Sequence, residues 1–205
     1  MKVLMLNGSP HEHGCTYTAL CETAKALNEQ GIETEIVWIG KEPLEGCRGC
    51  AACSKLWKCV VEDKVNEFAL KAAEADGFIF GSPVHYASAG GAIVAFMDRL
   101  FYSSGRKLAY KPAACVVSCR RAGASATFDV LNKYFTINQM PVVSSNYWNE
   151  IHGNTAEQAL QDLEGLQTMR ILGKNMAWLL KCIEAGKAAG LAPEKEKKIW
   201  TNFIR

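Results

Sequence analysis

Cys47, Cys50, Cys53 and Cys59 fall within thirteen residues, in the spacing C-x2-C-x2-C-x5-C. A loop this rich in thiols can gather the ligands of one metal centre without help from the rest of the chain. Three readings of the donor set stand side by side. The bacterial ferredoxin run is close in form, although here the last gap is longer and Val60 replaces the usual proline. Structural zinc also takes four thiolates, but its sites usually join two separated pairs. A metal-free loop of thiols, or one closed by a disulfide, is the third. Arg48, Lys55 and Lys58 would offset thiolate charge, and Trp57 would shield the loop from water.

A second concentration of chemistry lies in three loops. Asn7 to Thr18 carries hydroxyls at Ser9, Thr16 and Thr18, with His11 and Cys15 between them, and opens a helix. Unpaired N–H groups and the helix dipole at such a point favour an anion. Neither the Gly-Lys-Ser/Thr of a nucleotide loop nor G-x-G-x-x-G is present, so a monophosphate such as that of FMN fits best. His11 and His13 are a weak metal signal and read as loop residues beside that phosphate. The second loop, Ser82 to Ser88, offers Pro83, Val84, His85, Tyr86 and Ala87 as a flat rim for an isoalloxazine ring. His85 is the one candidate there for donating a proton or hydrogen bond. The third, Ser118 to Gly123, would bring Ser118, Gly123 and a cation, Arg121 ahead of Arg120, to the ring or phosphate.

These loops need a scaffold that brings them together. Val3–Leu6, Thr34–Ile39, Gly77–Gly81, Ala113–Ser118 and Pro141–Ser144 read as strands, the apolar runs among them as strands buried on both faces. Thr16–Gln30, Lys64–Ala75, Gly91–Phe101 and Ser125–Tyr134 read as helices between them. Asn154-Thr155-Ala156-Glu157 has capping-box form and opens one long helix through Leu160, Leu163, Leu166 and on to Ile183. Strictly alternating elements predict a doubly wound α/β sheet of five parallel strands, order 2-1-3-4-5, with helices on both faces. The expected organisation is one domain over 1–205, with a cysteine-rich insert at 40–63 after strand two and a C-terminal helix and tail at 154–205. Ligands of such sheets bind beyond the carboxyl ends of the strands, where the three loops would meet.

The chain has 205 residues, 49% hydrophobic and 21% charged, enough for a core and too apolar for disorder. A net charge of +2 gives no field to recruit nucleic acid or an anionic membrane. No apolar run reaches membrane-spanning length, and Met1–Asn7 reads as a first strand, not a signal peptide. Nine cysteines in a chain of this kind suggest a reduced, cytoplasmic setting. Outside the loop, Cys21, Cys115, Cys119 and Cys182 are expected to be buried packing residues. Trp200, Phe203 and Ile204 follow a charge run and are expected to pack on a partner subunit.

With Gly8-Ser9-Pro10, Gly14 and Thr16, Gly81-Ser82-Pro83-Val84 with Tyr86, the Asp98-Arg99-Leu100-Phe101 tract and the cysteine loop, the sequence resembles the flavodoxin-like NAD(P)H-dependent FMN reductase superfamily. Within it, the chain is most similar to the iron-sulfur flavoproteins. The resemblance implies bound FMN, a 4Fe-4S centre on Cys47, Cys50, Cys53 and Cys59, and a homodimer or homotetramer with flavin near the interface. It implies an oxidoreductase fed by NAD(P)H or a ferredoxin that reduces a quinone, nitro compound, flavin or similar acceptor. Cys15 stands where relatives usually carry Asn, His11 where a basic residue is common, and His85 where many carry Tyr. A metal-free NAD(P)H:acceptor reductase with a structural cysteine loop, and a flavin or thiol redox sensor, are the competing readings.

Overall fold

Consecutive residues of a strand face opposite sides of a sheet, so a strand covered on both sides must be apolar throughout. β1 (Lys2–Asn7) is such a strand, buried from Val3 to Asn7. The computed structural model describes every residue except Asn202, Ile204 and Arg205. In it β1 lies between β2 (Glu33–Trp38) and β3 (Gly77–His85), parallel to both. β5 (Ala113–Cys119) pairs with β3, and β6 (Glu150–His152) pairs with β5, both parallel. The order β2-β1-β3-β5-β6 is the expected 2-1-3-4-5 of the five parallel strands, and the two-residue β4 (Ser88–Ala89) adds an antiparallel hairpin to β3.

Leu4, Leu6, Phe78 and Phe80 face α3 (Lys64–Glu74), α4 (Gly91–Leu108) and α5 (Ala124–Ile137), where Phe68, Phe96, Phe101 and Phe135 complete an aromatic core. Val3, Met5, Ile79 and Val116 face α1 (Cys15–Asn28) and α7 (Leu163–Ala188). Each fully buried Phe of the first core contributes about 1.5–3 kcal/mol relative to exposure. The two layers hold the strands' carboxyl ends, and the loops that leave them, in fixed relation.

Three expectations are corrected. The fifth strand is not Pro141–Ser144 but Glu150–His152. Pro141 has no N–H to donate, and the 141–144 segment meets β5 through a single bridge, Ala113 to Val142. Buried Asn149 then makes the join, donating from Nδ2 to the Cys115 carbonyl at 3.1 Å. The single C-terminal helix is instead α6 (Ala156–Ala159) followed by α7. Asp162 interrupts it by accepting from the Gly165 N–H at 2.9 Å, an N-cap that starts a new helix. Leu160 and Leu163 are accordingly exposed. Cys115 and Cys119 are buried and Cys21 is half-buried, but Cys182 is exposed on α7. Ile199, Trp200 and Phe203 of the tail are exposed, and Ile204 lies outside the described residues. No helix among the described residues is long and apolar enough to cross a membrane.

Candidate functional site

The loop after β1 is fastened by the strand's own last residue. Asn7 is fully buried; its Nδ2 donates to the Glu12 carbonyl at 2.9 Å and its Oδ1 accepts from the Ser9 N–H at 3.2 Å. Ser9 Oγ accepts from the His11 N–H, and Trp38 Nε1 donates to the Ser9 carbonyl at 2.9 Å. The loop's own polar groups are thus tied down, while the helix it feeds is left open. Gly14 caps α1 with no side-chain hydrogen bond, so the first-turn N–H groups remain available to a ligand. Thr16 Oγ1 lies 2.8 Å from Ser118 Oγ, which ties this loop to the end of β5. Burial pushes the Cys15 thiol up, and its one S–H lies within reach of two carbonyls, those of Gly153 at 3.4 Å and Thr155 at 3.2 Å.

The hairpin at the end of β3 turns at Tyr86 and Ala87, both at positive φ (49° and 59°). A tight turn of this hand normally takes Asn or Gly. The chain keeps two strained non-glycine residues here, as functional loops often do. Gly123, at φ 89°, is the residue behind the hairpin: a Cβ there would lie 2.5 Å from Ala87 Cα. Gly123 therefore serves by letting the turn before α5 close against the hairpin.

These ends enclose a cavity of about 700 Å³. Of the residues expected at the flavin, Ser9, His11, Cys15, Thr16, Pro83, Val84, His85 and Ser118 line it. Five other expected residues stand back from it. Thr18 turns its hydroxyl to the Gly14 carbonyl, at 3.2 Å. Tyr86 and Ala87 form the exposed hairpin tip, Arg121 is exposed, and Gly123 packs behind. The arginine of the β5 loop that reaches the cavity is Arg120, and Lys41 joins it from beyond β2. The 153–157 segment closes the remaining side. Its position after β6 was obscured by placing the fifth strand too early, although its capping box was visible. Open helix N–H groups, hydroxyls and two cations suit a phosphate, and the Pro83–Val84 rim suits an apolar ring, so the residues present fit FMN.

A separate cavity of about 610 Å³ lies along α4, and all four clustered cysteines line it. Cys47 and Cys50 are exposed, while Cys53, at the start of the short α2 (Cys53–Leu56), and Cys59 are half-buried. Among the described residues, no three His, Cys, Asp or Glu side chains converge as ligands of a single ion would. The thiols share a hollow but do not meet at a point. Four thiol donors from one short loop fit a thiolate-ligated metal group, whether an iron-sulfur centre or a single zinc ion.

A parallel sheet of order 2-1-3-4-5, with an anion-ready loop after its first strand, defines a flavodoxin-like mononucleotide-binding protein. The model of the NADPH-dependent FMN reductase family matches residues 1–155, and the chain belongs to that family. It is a flavin-dependent oxidoreductase. An iron-sulfur flavoprotein of Methanocaldococcus jannaschii is 34% identical over 192 residues, covering 90% of this chain and 100% of that protein. One from Methanosarcina thermophila is 27% identical over 191 residues, covering 91% and 99%. The crystal structure of RosB with a bound formylriboflavin phosphate intermediate shares the fold at a TM-score of 0.70 and 15% identity, covering 100% of this chain and 92% of that one.

Proposed function

We propose that this FMN-dependent oxidoreductase acts in the cytoplasm, taking electrons from NAD(P)H or a ferredoxin-type donor and passing them to a quinone, nitro or flavin acceptor. Cys47, Cys50, Cys53 and Cys59 hold a 4Fe-4S cluster that works with the flavin. The observation that carries the cluster is the shared cavity: four thiols from one short loop line a single hollow. Similarity to iron-sulfur flavoproteins along about nine-tenths of the chain, 90% and 91%, supports it. Bound FMN supplies the exchange between two-electron and one-electron chemistry. The chain's part is to hold the phosphate at Ser9, Thr16 and the first turn of α1, with Lys41 and Arg120 balancing its charge. Pro83 and Val84 support the ring, and His85 at the rim offers it a hydrogen bond or a proton.

Protein purified without oxygen is expected to carry about four iron and four sulfide per FMN. A clean flavin spectrum with no iron would overturn the cluster. It would leave an NAD(P)H:acceptor reductase whose cysteine loop is structural.

We also propose that the tail completes a homodimer or homotetramer with flavin near the interface. Ile199, Trp200 and Phe203 are 84%, 72% and 92% exposed, a run of apolar side chains that a second copy would cover. Deleting residues 199–205 is expected to lower the mass measured by light scattering. An unchanged oligomer would rule the tail out of the interface.

A further inference from the structure

The basic residues inside the cysteine loop are already engaged elsewhere or far out in solvent. Arg48 pairs with Glu45 and Lys58 with Glu62, both pairs exposed. The cation that touches a thiol comes from α4. Arg99 has a side chain only 1% exposed, and its Nε donates to Cys59 Sγ at 3.3 Å. Its other two nitrogens form a fork on Asp63, at 2.6 and 2.8 Å, and reach the carbonyls of Glu45 and Val61. Asp63 holds the guanidinium firmly protonated, above its ordinary value. The backbone of Cys59 is clamped as well. Its N–H donates to Asn66 Oδ1 at 3.1 Å, and Asn66 Nδ2 donates to its carbonyl at 2.9 Å. Cys59 is therefore fixed at both backbone and sulfur, while Cys47 and Cys50 lie exposed on the loop.

We propose that Arg99 is a positioning residue for the four-thiolate centre: it presents Cys59 as the fixed ligand and, as a buried cation bonded to that sulfur, sets the centre's reduction potential. The inference rests on the cluster reading above. One-electron reduction of a thiolate-ligated centre adds a negative charge. A buried positive group stabilises the reduced form, and a hydrogen bond to a ligand sulfur does the same; both move the potential upward. Lysine would keep the charge but cannot span Cys59 and Asp63 with a planar fork. Glutamine would lose the charge.

The test is spectroelectrochemical titration of anaerobically purified wild-type protein, Arg99→Lys and Arg99→Gln, with iron, sulfide and FMN counted in each. The expected result is wild-type iron content with a more negative potential in both variants, further in Arg99→Gln than in Arg99→Lys. If the glutamine variant does not fold, the lysine variant alone decides. An unchanged potential in an iron-replete variant overturns the proposal. So does loss of iron from every folded variant, which would make Arg99 a scaffold of the loop and nothing more. Iron missing from the wild-type protein would instead defeat the cluster reading, and the iron count separates that failure from the other two.

Discussion

Asp63→Ala is expected to cost about 3–5 kcal/mol of stability, because it leaves the buried Arg99 guanidinium without its carboxylate. Arg99 is 1% exposed and Asp63 26%, so the pair is covered mainly on the arginine side, which favours the lower part of that range. The same carboxylate is the N-cap of α3: Oδ1 accepts from the Val65 N–H at 3.0 Å. Losing a cap alone costs about 1 kcal/mol. In a chain of this size each kcal/mol lowers Tm by roughly 2–4 °C, so the expected drop is about 6–20 °C. Glu33→Gln is the control. Glu33 is 72% exposed and lies 3.7 Å from Lys2, a surface pair worth about 0–1 kcal/mol. Thermal unfolding of the FMN-bound proteins followed by circular dichroism decides. A drop no larger than the control's would show that Arg99 is held by its other partners and that Asp63 is expendable.

The contrast between those two carboxylates also shows what a sequence can and cannot display. β1, β3 and β5 were legible because burial on both faces leaves continuous apolar runs such as Val3-Leu4-Met5-Leu6 and Phe78-Ile79-Phe80. The cysteine loop and the hydroxyl-rich loop were legible because their chemistry is local in the chain. β6 was not, since only Ile151 of its three residues is buried and no run marks it. Arg99 reads as one more cation on a helix; its partner is 36 residues away, and only the packing of α4 against α3 brings them together. The choice of Arg120 over Arg121 depends on how one turn leaves β5. Only one of the two neighbours lines the cavity, and composition cannot tell them from each other. Lys41 was hidden for a similar reason, lying in an insert whose cations were read only as partners of its thiols.

Gly8→Ala is expected to weaken FMN binding at least about tenfold, equivalent to about 1.4 kcal/mol. The two Gly-Ser-Pro turns pack directly on each other, with the Gly8 N–H donating to the Gly81 carbonyl at 2.9 Å. A Cβ on Gly8 would lie 2.6 Å from Ile93 Cδ1, which could turn aside, but also 2.7 Å from that carbonyl oxygen and 2.7 Å from Ile93 Cβ, which could not. The last two atoms are not the free end of a flexible chain. One is the backbone of β3, and the other is a β-branched residue fully buried in α4. Overpacking of this kind costs about 1–3 kcal/mol, and the relief available is to push the phosphate loop away from β3. That movement strains the Asn7 bonds that hold the loop and carries Ser9 and the start of α1 off the phosphate position. Gly91→Ala is the matched control, because a Cβ there meets nothing within 4 Å and the site is a helical one where alanine is preferred. Titrating the apoproteins with FMN by fluorescence quenching measures both. Equal affinity in Gly8→Ala and wild type would mean that the loop accommodates a methyl group, and that contact between the two turns does not set the phosphate site.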